Sequence, residues 1–469
     1  MRPVPVLTAV CAALLLSPAT HVLAAPPAAT EAALAQRIDA SIGQYFRPDA
    51  PGAIILVQRD GKTILRKAYG LANLATRQPL TPAAPMRLGS LTKQFTAVAV
   101  LMLADEGKLA LSDEITRFLP DYPTHGRKIT IEHLLTHTSG IPNFTARPDY
   151  QPKQAQDVTV DSMIARFRDD PLQFDPGTQF SYSNSGYFLL GAIIEKASGQ
   201  PYAQFLAQRI FIPLGMGDTA YEGFERNSAR RVAGYTSSGG AFVPADALSM
   251  TQPYAAGALV STVDDLARWE AAIGAGKLLR AATWRKAFTP YTLTDGKSTR
   301  YGYGWGVGDW QGAPVISHGG GINGFATYAA RLPQDGVFVA VLENADGDLL
   351  TPDAVARKAA AIAIGKPLPE YRPIALDPAA LPAFTGRYDK DGKNSHTISV
   401  RDNGLLLQRQ GGQARRLLPY APGAFVIEHT LITVQFRRAA DGAVSGMTID
   451  DGDTTMGFDR TGALTAALP

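Results

Sequence analysis

Ser90 and Lys93 stand three residues apart at the head of the stretch MRLGSLTKQFTAVAVLMLADEG, residues 86–107. Residues at that spacing share a face of a helix, so a helix beginning near Ser90 sets the Lys93 ammonium beside the Ser90 hydroxyl. From Phe95 to Ala104 there is no charge, which marks a helix with neighbours on every side. Asp105, Glu106 and Gly107 then give it a polar end and a stop. A lysine desolvated in such a place loses affinity for its proton, and a nearly neutral amine can take the serine proton during attack on an acyl carbon. A serine cap followed by a lysine that snorkels to solvent has the same spacing, and S-x-x-K arises by chance about once in a chain of this size. Chemistry therefore needs partners elsewhere in the chain.

Acyl transfer also needs a proton donor for the leaving group and N–H groups for the oxyanion. The segment FDPGTQFSYSNSGYFLLGAIIEKASG supplies Tyr182, Ser183 and Asn184 in a loop expected to be exposed, just before an apolar helix. A tyrosine near a lysine can share its proton traffic, and an asparagine amide can orient both the lysine and a substrate carbonyl. In VISHGGGINGF, His318 is expected to close a β-run, and Gly319, Gly320 and Gly321 to let a substrate backbone approach a strand edge with free N–H groups.

With these three pieces in this order the chain resembles the serine β-lactamase and penicillin-recognising hydrolase superfamily. The likeness is greatest to the class C branch and its esterase and D-amino-acid peptidase relatives. It covers roughly residues 35 to 365 and includes ITIEHLLTHTSGIP, PLGMGDT and AAGALVSTVDDLARW between the motifs above. The resemblance implies that Ser90 is the acylated nucleophile and Lys93 its base partner. It implies that Tyr182 shuttles protons to the leaving group and toward the deacylating water, with Asn184 as the asparagine of the same Y-x-N motif. His318, Gly319 and Gly320 stand at the third motif, and the N–H groups of Ser90 and Gly321 would form the oxyanion hole. Many β-lactamases and DD-peptidases carry lysine where this chain has His318, so a strong carboxylate site is not expected there.

The resemblance thus implies a serine hydrolase acting through a Ser90 acyl-enzyme on ester, amide or D-amino-acid peptide substrates, with no cofactor and no metal. A β-lactamase or DD-carboxypeptidase proper is the first alternative, and a catalytically silent penicillin-binding-like sensor the second. The expected partner is a small-molecule or peptide acyl substrate, cell-wall-derived ones included. A G-x-S-x-G elbow of the α/β-hydrolase kind is missing from the sequence. His133 and His137 have a spacing that could hold zinc on a helix, but the H-E-x-x-H glutamate is missing and no third ligand suggests itself.

The elements that must position these residues follow from composition and pattern. The chain has 469 residues, 45% of them hydrophobic and 19% charged, and a formal charge of only +3, so it can bury a large core and is a poor nucleic-acid binder. Residues 1–25 have one arginine, an apolar centre and small residues at Ala24 and Ala25, the pattern of a cleaved secretory signal, so a periplasmic or extracellular location without a membrane span in the mature chain is expected. The single cysteine, Cys11, would leave with it. Apolar runs flanking Asp60-Gly61 read as a hairpin. A helical centre follows, and a second strand block runs from YGYGWGVGDW to GVFVAVLEN. Strands at both ends of the segment with helices between them give an α+β class, the antiparallel sheet flanked by helices of the β-lactamase/transpeptidase-like fold. Within it Tyr303, Trp305 and Phe325 suit a cleft wall or a strand core equally well. The hydrolase domain is expected over residues 30–366, a proline-rich linker over 367–380 and an all-β domain, a small barrel or sandwich, over 381–469, which resembles the lipocalin-like module attached to some members of the superfamily.

Overall fold

Asp60 and Gly61 both take positive φ, 52° and 74°, the twist that a tight hairpin demands. They join β1 (Ala53–Arg59) to β2 (Lys62–Tyr69). The computed structural model describes residues 30–223, 230–238, 241–392 and 394–462, and the signal expected over residues 1–25 lies outside them. The second strand block supplies β3 (Gly306–Trp310), β4 (Ala313–Ile322), β5 (Phe325–Leu332) and β6 (Val337–Glu343). Together they form one antiparallel sheet in the order β3-β4-β5-β6-β1-β2, so the two ends of the segment meet at its centre, where Ala53 pairs with Glu343.

Side chains alternate across this sheet. In β6, Phe338, Ala340 and Leu342 enter one apolar cluster, while Val337, Val339 and Val341 enter another. The second cluster is closed by α1 (Glu31–Gly43) and α4 (Pro352–Ala363), and the first by a helical region built around α2 (Thr92–Asp105) and α3 (Asn184–Ser198). α2 is buried on every side from Thr92 to Leu103, as the chargeless run from Phe95 requires, and Lys93 is buried with it. Tyr303, Trp305 and Phe325 belong to the same core, each no more than 5% exposed, and Phe325 also lines a surface cleft beside Arg87 and Glu222.

Beyond α4 the chain closes into a barrel of eight antiparallel strands. These are β7 (Gly386–Asp389), β8 (Ser395–Arg401), β9 (Gly404–Arg409), β10 (Ala414–Ala421), β11 (Ala424–Ile427), β12 (Thr433–Arg438), β13 (Val444–Asp450) and β14 (Thr455–Gly462). Closure leaves no unpaired sheet edge. The interior is filled by side chains such as Phe384, Phe425, Phe436 and Phe458. The barrel sits on the larger α+β unit through an Arg357–Asp453 ion pair at 2.5 Å and a hydrogen bond from the Thr351 N–H to the His429 carbonyl at 3.0 Å. Leu431 packs against the cluster around α4. Among the described residues no helix is long and apolar enough to cross a membrane.

Candidate active site

Ser90 lies in a single 3-10 turn, Gly89–Leu91, that leads directly into α2. That turn is pressed against the edge of β4. Gly89 has φ 54°, and a Cβ there would lie 3.0 Å from the Gly321 nitrogen. A Cβ on Gly320 would lie 2.1 Å from the Leu88 carbonyl oxygen and 3.1 Å from the Ser90 nitrogen. Only glycine allows this approach, which brings the backbones of Ser90 and Gly321 to one place. Thr327 of β5 fastens it by donating its hydroxyl hydrogen to the Leu88 carbonyl at 2.8 Å. β4 continues through Gly321 to Ile322, so His318 sits inside a strand and does not end one, because pairing with β5 carries the glycines.

Lys93, in the first turn of α2, is completely buried. Its Nζ lies 3.0 Å from Ser90 Oγ, 2.8 Å from Asn184 Oδ1 and 2.8 Å from the carbonyl oxygen of Ala256. No carboxylate pairs with it among the described residues, and burial holds its pKa well below the ordinary lysine value. A neutral amine has two N–H groups and one lone pair. The Asn184 and Ala256 oxygens take the two hydrogens, which leaves the lone pair for the Ser90 hydroxyl proton.

Asn184 opens α3, with Ser183 as the N-cap. Its Nδ2 donates to Thr145 Oγ1 at 3.3 Å, which turns its Oδ1 toward Lys93. The loop before it is not exposed as its polar composition suggests: Ser183 is 2% exposed and the Tyr182 Oη is buried. Both are covered by an aromatic group that includes His137, Tyr187, Tyr301 and His318. The Tyr182 ring lies 4.8 Å from Lys93 Nζ. Burial raises the phenol above its ordinary pKa, with the adjacent Ser90 opposing this in part, so Tyr182 keeps its proton at neutral pH. Its Oη has no aligned hydrogen-bond partner, and the proton is not committed elsewhere.

His318 is locked in one neutral form. Its Nδ1 is 2.5 Å from the Gly319 carbonyl, which can only accept, so Nδ1 carries the proton and Nε2 accepts from the Tyr301 hydroxyl at 2.8 Å. Burial first, and the neighbouring Lys93 second, push its pKa down to about 4. Neither nitrogen is left for a substrate.

One contributor has no motif of its own. His137 accepts the Ser183 N–H on Nδ1 at 3.1 Å, and its carbonyl accepts the Ser181 N–H at 2.9 Å, so it tethers the chain on both sides of Tyr182. Its ring lies 4.2 Å from the Tyr182 ring. It is forced neutral, chiefly by burial and then by Lys93 and His318, and it sits at φ 58°, in the left-handed region. His133 caps its own short helix, its Nδ1 accepting the Thr130 N–H, the role that the missing third ligand favours over zinc. Ala256 was equally invisible, since a backbone carbonyl has no side-chain signature.

Residues 31–363 match the Beta-lactamase family. A penicillin-binding protein of Bacillus subtilis is 29% identical over 428 residues, which is 85% of this chain and 92% of that protein. A D-aminopeptidase of Brucella anthropi is 27% identical over 72% of this chain and 63% of its own length. Among solved structures, the octameric penicillin-binding protein homologue from Pyrococcus abyssi superposes with a TM-score of 0.65 at 26% identity, covering 91% of this chain and 99% of that one. A D-stereospecific amidohydrolase from a Streptomyces species does so with a TM-score of 0.58 at 26% identity, over 70% of this chain and 98% of its own.

Proposed function

The chain belongs to the Beta-lactamase family and is a serine hydrolase of that superfamily, and from this we propose that Ser90 hydrolyses esters, amides or D-amino-acid peptides through an acyl-enzyme. The observation that carries the proposal is the wholly buried Lys93, unpaired with any described carboxylate and 3.0 Å from Ser90 Oγ.

Lys93 takes the Ser90 proton as Oγ attacks the substrate carbonyl carbon. Charge builds on the carbonyl oxygen and is met by the Ser90 and Gly321 N–H groups, held together by the close packing of the turn on β4. The protonated Tyr182 gives its hydrogen to the leaving oxygen or nitrogen, the C–O or C–N bond breaks, and Lys93 returns a proton to the phenol. Water then attacks the Ser90 ester and loses a proton to the same pair, the C–Oγ bond breaks as that proton is returned to Ser90 Oγ, and the acid leaves. Asn184 keeps Lys93 aimed at Oγ throughout.

The substrate class rests on His318. A carboxylate next to the scissile bond, as in penicillins and C-terminal D-alanine, would face a neutral ring with both nitrogens engaged. The relatives that act on D-amino-acid derivatives favour the same class. Residues 1–25 support export, which N-terminal sequencing of protein recovered outside the cytoplasm would test.

A panel of p-nitrophenyl esters, D-amino-acid amides and peptides, and nitrocefin, run beside Ser90→Ala, tests the proposal. Ester or D-peptide turnover lost by about 10,000-fold in Ser90→Ala, with little nitrocefin hydrolysis, is expected. Rapid nitrocefin hydrolysis would overturn the substrate class, and a stable adduct without turnover of any substrate would favour a sensor.

A further inference from the structure

Leu88 stands two residues before the nucleophile, and its backbone is held from both sides. Its N–H donates to the Leu259 carbonyl at 2.8 Å, and its carbonyl accepts the Thr327 hydroxyl hydrogen at 2.8 Å. Leu88 is wholly buried and Thr327 is 3% exposed, so both lie out of reach of bulk water. The Leu91 N–H also faces the Leu88 carbonyl, but at 3.4 Å it is too distant to replace the hydroxyl. The Gly320 carbonyl, 3.5 Å from Thr327 Oγ1, is likewise too far to compete for the one hydrogen that a hydroxyl carries.

Gly320 makes room for this bond. It is the cross-strand partner of Thr327 in the β4–β5 ladder. A Cβ on it would lie 2.1 Å from the Leu88 carbonyl oxygen and 2.3 Å from Thr327 Oγ1. Hydroxyl and carbonyl therefore meet in the volume that a side chain at position 320 would fill, beside the Ser90 nitrogen.

The Ser90 N–H belongs to the peptide that follows Gly89, and glycine does not restrict its own torsions. With Gly89 at φ 54°, the direction of that N–H depends on how firmly the preceding peptide is fixed. Thr327 fixes it to β5. The other oxyanion donor, the Gly321 N–H, lies on β4, where Gly321 pairs with Ala326 of the same β5. Both donors are thus referred to one strand, the first through a single side-chain hydroxyl and the second through the ladder.

We propose that Thr327 is a positioning residue of the oxyanion hole, its hydroxyl acting through the Leu88 carbonyl to hold the Ser90 N–H in register with the Gly321 N–H. The inference rests on the Ser90 acyl-enzyme reading and adds a residue that does not touch the substrate. Losing the hydroxyl frees the Leu88 carbonyl and lets the turn shift on β4. The cost falls where negative charge builds on the carbonyl oxygen, in the transition state rather than in substrate binding.

Thr327→Val keeps the shape of the side chain and removes the hydroxyl, and Thr327→Ser keeps the hydroxyl. Turnover of p-nitrophenyl butyrate is measured beside inhibition by phenylboronic acid, which adds to a serine Oγ as a tetrahedral adduct. Thr327→Val is expected to lower kcat and kcat/KM together by about 10- to 100-fold and to weaken the boronic acid at least about 10-fold. Thr327→Ser is expected to restore both to within about threefold. Should the valine variant not fold, Thr327→Cys, whose thiol is a weak donor, carries the same test with a smaller loss of the same kind. A variant without the hydroxyl that melts earlier but keeps its kcat and boronic acid affinity overturns the proposal, as does a loss that serine does not restore. Failure of the Ser90 reading shows separately, as ester turnover by Ser90→Ala at the rate of the unaltered protein.

Discussion

The Ser90 site and the barrel interior are both enclosed by apolar side chains, yet they are furnished in opposite ways. Inside the barrel most buried polar groups are satisfied, the Tyr388 hydroxyl donating to the Phe384 carbonyl at 2.7 Å and the Thr430 hydroxyl to Ile427 at the same distance, with His396 Nδ1 the exception among the described residues. Around Ser90 a lysine is buried without a described counter-ion, and Tyr182 Oη and His137 Nε2 lack aligned partners. Burying such groups costs stability. The difference teaches where folding and function divide. The barrel spends its interior on stability, whereas the site holds groups in protonation states that water would not allow and relies on the surrounding core to keep them there.

Substitutions can sharpen or break this contrast. Lys93→Met should lower Ser90-dependent ester turnover by about 100- to 10,000-fold, because the base is lost while the shape is kept. Stability should respond in the other direction with pH. The Lys93 pKa is lower in the folded chain than in the unfolded one, so between those values the unfolded chain binds more protons and stability rises with pH. Denaturation curves should show the unsubstituted protein gaining on Lys93→Met as pH climbs from neutral toward 10.5. A stability difference flat in pH would mean that Lys93 is charged when folded.

His137→Ala should cost about 100-fold in kcat with little change in KM, since Tyr182 loses its tether while the binding surface stays. His137→Asn offers an acceptor at a similar position and tolerates positive φ, and should recover most of the loss. Equal damage by both would assign His137 a purely structural role. In the barrel the expectation reverses: Phe436→Ala empties part of the interior beside Phe384 and Phe425 and should destabilise the barrel by about 3–5 kcal/mol, with ester kcat unchanged in the folded protein. The smallest effect concerns His318. It is neutral above a pKa of about 4, so the pH–rate profile should show no histidine step between pH 5 and 8, and an inflection near 6.5 that vanishes in His318→Asn would contradict the locked tautomer.

The legible parts of the molecule are those in which function writes itself into side-chain spacing. Ser90 and Lys93 meet because a turn of helix places them so, and the chargeless run after them requires the buried α2 that is found. The α+β sheet and an all-β second domain could likewise be read from alternation and turns, as at Asp60-Gly61, whereas closure of that domain into a barrel depends on strand pairing. What could not be read depends on tertiary neighbours. The polar run Ser181-Tyr182-Ser183-Asn184 looks exposed because its composition is that of a loop, but His137 and Tyr301 from distant segments cover it. The glycines after His318 look like a strand end because glycine is a poor strand former, whereas β5 pairs with them through Gly321. The Ala256 carbonyl on Lys93 leaves no trace in residue type at all.

The central claim is that burial holds the Lys93 pKa well below the ordinary lysine value, so that its amine can serve as the base. It is tested most directly by NMR of lysine labelled with carbon-13 and nitrogen-15, the Lys93 signals being assigned by their loss in Lys93→Met. The Lys93 Cε and Nζ shifts should titrate well below 10.5. An ammonium signature that persists through pH 9 would contradict the account and move the role of base away from Lys93.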